Sequence, residues 1–318
     1  MLNVAMLSKW HVHAAGYARE LMAMDDVNVT CIWDEDAERG AAWAKELGVA
    51  FEADLDELLR RPDVDAVAVN CPTAMHPEVI IKAARAGKHI FTEKVLALTV
   101  RECDEIAKAI NEAGVKFCIS FPQRCWGRNK YIKHMVESGA LGQVTVMRAR
   151  DAHDGSLRNW LPDYWYDRDM TGGGAMMDLG AHPMYLLCAL LGMPTNVQST
   201  FTHVTGKTVE DNAVSLLAFP GGAIGVSETG FVSRSYPFTI ELGGEEGSLL
   251  MRDQKVTYCC PETNNEWREP ETLPEAKPSP LAQWALAEKP EDISEDFGID
   301  AAVRLTKVME MAYADPKE

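Results

Sequence analysis

The first third of the chain predicts an α/β fold, a doubly wound and mostly parallel sheet with helices on both faces. Two patterns carry this. Short β-branched runs alternate with stretches of helical periodicity, and polar or charged residues collect where each run ends. Asn3 to Leu7 is the first apolar run, and His13 to Met24 has the helical period. Val27 to Trp33 is a second strand closed by Asp34, and Ala37 to Leu47 reads as the next helix. Ala66 to Val69 ends at Asn70-Cys71-Pro72-Thr73, and helical Pro77 to Ala86 stops at Gly87. His89 to Thr92 ends at Glu93-Lys94, and Lys116 to Phe121 closes the series. Ligands of such sheets bind beyond the carboxyl ends of the strands, where Asp34, Asn70 to Thr73, Glu93 and Lys94 fall.

Asp34 lies about twenty residues past the first strand–helix turn, the place of a carboxylate that accepts from the ribose diol of a dinucleotide. That favours NAD over NADP, whose 2′-phosphate it would repel. The same residue could instead cap the helix that follows. The usual G-x-G-x-x-G is missing. The turn reads Leu7-Ser8-Lys9-Trp10-His11-Val12-His13, with no glycine before Gly16. Ser8, Lys9, Trp10, His11 and the following helix N-terminus are therefore expected to meet the cofactor with a different geometry.

A second site signal is Asp178-Leu-Gly-Ala-His182, entered through Gly172-Gly173-Gly174. A carboxylate and an imidazole four residues apart share one face if the segment is helical. An oriented imidazole of that kind serves as a general base near neutral pH. A buried, hydrogen-bonded core histidine would have the same spacing.

These segments together resemble a known family. The string from His76 through Gly87-Lys-His-Ile-Phe-Thr-Glu-Lys94, Glu137-Ser-Gly-Ala-Leu-Gly142, and Gly172 to His182 are similar to the glucose-fructose oxidoreductase/inositol dehydrogenase family, often called Gfo/Idh/MocA. The likeness continues through Val209-Glu-Asp-Asn212, Phe219-Pro-Gly-Gly-Ala223 and Gly243-Gly-Glu-Glu-Gly-Ser-Leu249. It implies an N-terminal Rossmann dinucleotide-binding domain over 1–120 and a substrate-binding and oligomerisation domain over 121–318. The latter would be α+β with a large open, mostly antiparallel sheet. The active site would lie in the cleft between the domains, and the final helix, about residues 300–313, would pack back on the first domain. It further implies NAD as cofactor, a homodimer or homotetramer, and oxidation or reduction of a hydroxyl or carbonyl carbon in sugars, cyclitols and related polyols. Lys94 matches the lysine that hydrogen-bonds the reacting oxygen, and Asp178 and His182 match the family's acid and helix histidine. The cofactor contacts expected at the strand ends are Asn70, Cys71, Pro72, Thr73, His76, Glu93 and Lys94.

Two departures stand inside these motifs. Val95 replaces the proline of E-K-P, which frees φ beside Lys94, and Pro183 follows His182 directly, which predicts a kink or break at a penalty of roughly 3 kcal/mol inside a helix. Tyr185 stands where the family often has a second acid. Substrate contacts are expected from Gln123, Arg124, His153, Arg158, Trp165 and Tyr185. Between Asp151 and Asp169 the chain mixes aromatics with hydrogen-bonding groups, which suits a sugar's apolar faces and hydroxyls.

Composition sets outer bounds. The chain has 318 residues, 47% of them apolar, and a net charge of −17, which excludes the basic patch that nucleic acids need. No apolar run approaches the roughly 20 residues of a bilayer span, and the first strand begins almost at Met1, so a cytoplasmic enzyme is expected. The eight cysteines show no C-x-x-C and are read as reduced thiols. His11 and His13, with His153 or His203, could ligate a metal. Without clustered acids or thiols no metal site is assigned. Two other readings stay open: a non-catalytic NAD- or sugar-sensing protein of the same fold, and a lyase or glycosidase that uses NAD transiently. From Pro261 to Pro290 the sequence reads as a long surface loop, and Asp300 to Tyr313 as a closing helix.

Overall fold

A computed structural model describes residues 1–317. The chain forms two compact units, Met1–Ser120 with Pro278–Thr306, and Phe121–Lys277 with the chain from Lys307 onward.

The first unit is built on β1 (Leu2–Leu7), α1 (Ala14–Met22), β2 (Val27–Trp33), α2 (Ala37–Leu47), β3 (Ala50–Phe51), α3 (Leu55–Arg60), β4 (Ala66–Val69), α4 (His76–Arg85), β5 (His89–Thr92), α5 (Val100–Ala113) and β6 (Phe117–Ile119). All ladders are parallel, in the order β3-β2-β1-β4-β5-β6. The order reverses between β1 and β4, so the ligand crevice of this sheet lies over their carboxyl ends. Strands β1 and β4 are buried along nearly their whole length, as strands covered on both faces must be. Asp36, not Asp34, caps α2, accepting from the amides of Glu38 and Arg39.

The second unit runs through α6 (Gly127–Glu137), β7 (Val144–Ala152), α7 (Arg168–Thr171), α8 (Ala181–Leu191), β8 (Asn196–Thr202), β9 (Asn212–Ala218), β10 (Ile224–Gly230), β11 (Thr239–Gly244), β12 (Ser248–Arg252) and β13 (Lys255–Cys259). Its seven strands are ordered β13-β12-β11-β7-β10-β9-β8, with only β10–β7 parallel. Strands β9 and β10 form the hairpin expected around Pro220-Gly221-Gly222. Alternating burial in β9 shows one face on a core and one outward.

Most of the segment 261–290 is the expected exposed loop, but its end is α9 (Pro280–Leu286), whose Trp284 is fully buried with its ring centre 5.8 Å from that of Phe91. Helix α10 (Ile299–Tyr313) closes the chain. All eight cysteines are free thiols, and no helix among the described residues is long and apolar enough to cross a membrane.

Candidate active site

The β1–α1 turn shows what replaces the missing glycines. Ser8 adopts φ 75°, the left-handed conformation glycine would normally supply. The turn then satisfies its own amides. Ser8 N donates to Trp33 O (2.6 Å), Lys9 N to Asp34 Oδ2 (2.8 Å), Trp10 N to Ser8 Oγ (3.0 Å) and His11 N to Asn70 O (3.1 Å). Ser8, Trp10 and His11 are buried, and the Lys9 ammonium pairs with Glu46 at 2.8 Å.

Asp34 is likewise occupied. Its carboxylate accepts from the amides of Lys9 (2.8 Å) and Asp36 (2.9 Å) and from Arg39 Nε (3.0 Å) and Nη2 (2.6 Å). Two oxygens offer about four acceptor positions, and all four are filled by the protein. The free acceptor nearby belongs to Glu35: its Oε2 is buried without a hydrogen-bond partner, while Oε1 meets Arg39 Nη2 at 2.6 Å. Burial pushes the Glu35 carboxyl above its ordinary value.

At the end of β4, Asn70 is fully buried, with Nδ2 on Ala68 O and Oδ1 unpartnered. Cys71 and Thr73 are buried beside it. His76 does not open onto this crevice. It is buried among the carbonyls of Cys71, Val95 and Leu96 at 3.1 Å each, and so ties the β4 exit to the segment after Lys94. It is a positioning residue. The Lys94–Val95 peptide is cis.

Glu93 is the most heavily contacted acid. Its Oε1 meets His13 Nδ1 at 2.8 Å and the Tyr17 hydroxyl, and its Oε2 accepts from Lys94 N at 3.0 Å. Burial alone would raise this carboxyl, but His11, His13 and Lys94 hold it well below the ordinary glutamate range. Burial, with Glu93 as neighbour, pushes the Tyr17 hydroxyl well up. The sequence marked Glu93 and His11, but not Tyr17, and gave no sign that His13 reaches Glu93. The connection crosses β4, so sequence spacing holds no trace of it.

In the second unit, α8 begins at Ala181, so Asp178 lies in the preceding turn and the shared helical face expected for Asp178 and His182 is not formed. The Nδ1 of buried His182 meets Tyr185 Oη at 3.0 Å. Pro183 occupies the first turn of α8, where its missing N–H leaves no helical bond unmade, so the expected kink is absent. Tyr185 is a hub. Its hydroxyl accepts from Gln123 N (3.2 Å), its carbonyl accepts from Arg124 Nη2 (3.1 Å), and its ring centre lies 4.5 Å from that of Phe121. Gln123 Nε2 donates to Asp151 Oδ2 at 2.9 Å, and its Oε1 is buried without a partner.

The other substrate candidates gather elsewhere. His153 stacks on Phe231 and accepts from Gly155 N, and half-exposed Arg158 pairs with Asp154 at 2.8 Å. Trp165 is buried in the core. The glycine run before Asp178 also has a packing cause: a Cβ on Gly174 would sit 2.0 Å from Glu210 O, and one on Gly173 would sit 2.2 Å from Tyr313 Oη. Glu210 Oε1 accepts from Gly174 N, Met176 N and Tyr313 Oη at 2.9, 3.0 and 2.6 Å, so the Val209-Glu-Asp-Asn motif is a structural clamp.

A doubly wound parallel sheet in the order β3-β2-β1-β4-β5-β6 defines a Rossmann-type protein. Residues 12–121 match a family model described as oxidoreductase family, NAD-binding Rossmann fold, and residues 129–250 match the GFO/IDH/MocA C-terminal domain. The chain is 31% identical over 229 residues to 1,5-anhydro-D-fructose reductase of Ensifer adhaerens, covering 71% of this chain and 68% of that one. It is 30% identical over 257 residues to myo-inositol 2-dehydrogenase of Thermotoga maritima, covering 76% and 72%. An oxidoreductase domain protein from Kribbella flavida superposes with a TM-score of 0.82 at 26% identity, over 97% of this chain and 96% of that one. The chain belongs to the GFO/IDH/MocA family of oxidoreductases, and NAD is the cofactor of its Rossmann unit. The residues fit a nucleotide at the switch point, where buried Asn70 Oδ1 and Glu35 Oε2 both want a donor. They do not fit the ribose contact expected of Asp34.

Proposed function

We propose that the protein moves a hydride between NAD and a secondary hydroxyl, or the matching ketone, of a sugar, cyclitol or related polyol. The observation that carries this is His182 held through Nδ1 by the buried Tyr185, whose hydroxyl also accepts from the Gln123 backbone N–H. The relatives' named substrates, an anhydro sugar and an inositol, support the substrate class.

In the oxidative direction His182 is the general base. In the tautomer whose Nδ1–H donates to Tyr185 Oη, which also accepts from the Gln123 backbone N–H, Nε2 is the atom that takes the hydroxyl proton. A phenol oxygen has two lone pairs, so it can accept from both. The Lys94 ammonium offsets charge developing on the substrate oxygen as the carbonyl forms. Bound NAD supplies the acceptor for the carbinol hydride. Gln123 and Arg124 are assigned to the substrate hydroxyls, and Asn70, Cys71, Pro72, Thr73, Glu35 and Lys94 to the nucleotide. The outward apolar residues Val146, Leu216 and Ile224 on the second unit's sheet are assigned to a homo-oligomer face.

The test begins with calorimetric titration of nucleotide-free protein with NAD and NADP, followed by a screen of sugars and cyclitols for NADH formation. Micromolar NAD binding and turnover are expected. Tight NAD retention with no NADH in bulk solution would favour the transient-NAD lyase or glycosidase. Failure to bind either nucleotide would leave the sensor reading.

A further inference from the structure

We propose that His11, His13 and Glu93 form a binding site for a divalent transition ion of the zinc class, with a fourth position open to an oxygen ligand. The two histidines leave β1 as an H-x-H pair and Glu93 leaves β5, so the fold brings them together over the carboxyl ends of the sheet. One ligand atom from each can be chosen so that all three lie within 4.8 Å of one another. Zinc bonds of 2.0–2.2 Å in a tetrahedral set place neighbouring ligand atoms about 3.3–3.5 Å apart. Glu93 Oε1 lies 2.8 Å from His13 Nδ1 and 3.6 Å from His11 Nδ1, on either side of that spacing.

His11 Nδ1 lies 3.2 Å from the His13 backbone nitrogen and 3.6 Å from Glu93 Oε1, so the two histidines and the carboxylate converge on one point. Two imidazoles and one carboxylate are the donor set that catalytic zinc sites use, leaving one position for water or a substrate oxygen, whereas magnesium and calcium prefer all-oxygen sets. The surroundings provide outer support. Tyr17 bonds both Glu93 Oε1 and, at 2.8 Å, Ser120 Oγ, and Lys94 N fixes Glu93 Oε2. His13 is half exposed while the other two ligands are buried, which gives an ion one side to enter from.

This inference does not depend on the hydride-transfer reading, and its test is kept separate by titrating NAD in parallel. Full-length protein freed of metal with a chelator is titrated with zinc chloride by calorimetry, and with cobalt(II) by visible absorption. A single ion per chain is expected, with the intense visible bands of a four-coordinate cobalt site. His13→Gln and Glu93→Gln should each weaken zinc binding by roughly a hundredfold or more, at or beyond the upper limit of the 10–100-fold that outer contacts typically carry. His203→Gln, altering an exposed histidine of the other unit, should bind as the parent does. No ion bound, or equal binding by folded His13→Gln and the parent, overturns the proposal. So does a comparable loss in His203→Gln. Because His13 is half exposed, its variant keeps the test open even if Glu93→Gln fails to fold.

Discussion

In the first unit the buried carboxylates Asp34 and Glu93 meet charged partners, whereas in the second the Nδ1 of the buried His182 imidazole meets a neutral hydroxyl. Asp34 is wrapped by Arg39 and two amides, and Glu93 by His13, Tyr17 and the Lys94 amide. His182 has Tyr185. The contrast separates two uses of burial. A carboxylate saturated by fixed donors is a structural anchor, since nothing can be removed from it without stranding a charge. A phenol holds an imidazole in orientation without fixing its charge, which leaves it able to take and return a proton.

The largest expected effect on stability tests the anchor. Asp34→Ala leaves two amides without their acceptor and Arg39 with Glu35 as its remaining carboxylate, and should lower stability by about 1–3 kcal/mol, read as a shift in denaturant midpoint at constant slope. If stability holds and only NAD affinity falls, Asp34 is the ribose ligand after all and the contrast fails on its first side. Next comes the base. His182→Ala should reduce turnover on the order of a hundredfold or more while calorimetric NAD binding persists. Undiminished turnover would make His182 a core residue.

Tyr185→Phe removes a hydroxyl that meets both His182 and the Gln123 amide and should lower kcat about tenfold, near 1.4 kcal/mol, with KM little changed. A loss as deep as that of His182→Ala would mean that the tyrosine does more than orient. The smallest effect lies in the acid limb. The folded-state carboxyl of Glu93 sits below its unfolded value, so its stabilisation is complete above about pH 4.3 and is lost as pH falls through the folded value. Unfolding midpoints measured from neutral to acid pH should fall less steeply for Glu93→Gln. An unchanged slope would show that the surrounding histidines do not stabilise the charge.

Much of the first unit was legible because its signals are local. Val27–Trp33, Ala66–Val69 and His89–Thr92 are short runs rich in β-branched and apolar residues that end at polar ones, and Ala37–Leu47 is punctuated by Asp36 and Gly48. The site was legible only as residue types at strand ends. Asp34 looked like a ribose ligand because position along the chain does not reveal that Arg39 fills its oxygens. An i, i+4 face for Asp178 and His182 needs a helix through both, and α8 begins three residues after Asp178. Pro183 marks that beginning, where the proline ring is tolerated. In 261–290 the Pro and Glu content masked α9, whose Trp284 finds its core only against Phe91.

The sequence by itself determined the alternation of strand and helix, the family, and which chemical groups stand at the carboxyl ends of the sheet, because these depend on periodicity and on neighbours in the chain. Only the tertiary structure decided which of those groups meet. His13 and Glu93 are 80 residues apart and Tyr17 and Ser120 are 103 apart, and each pair closes across strands that are not adjacent in sequence. Hydrogen bonds and charge act over a few ångströms of space, so the roles of Asp34, Glu93 and His182 were set by the packing around them.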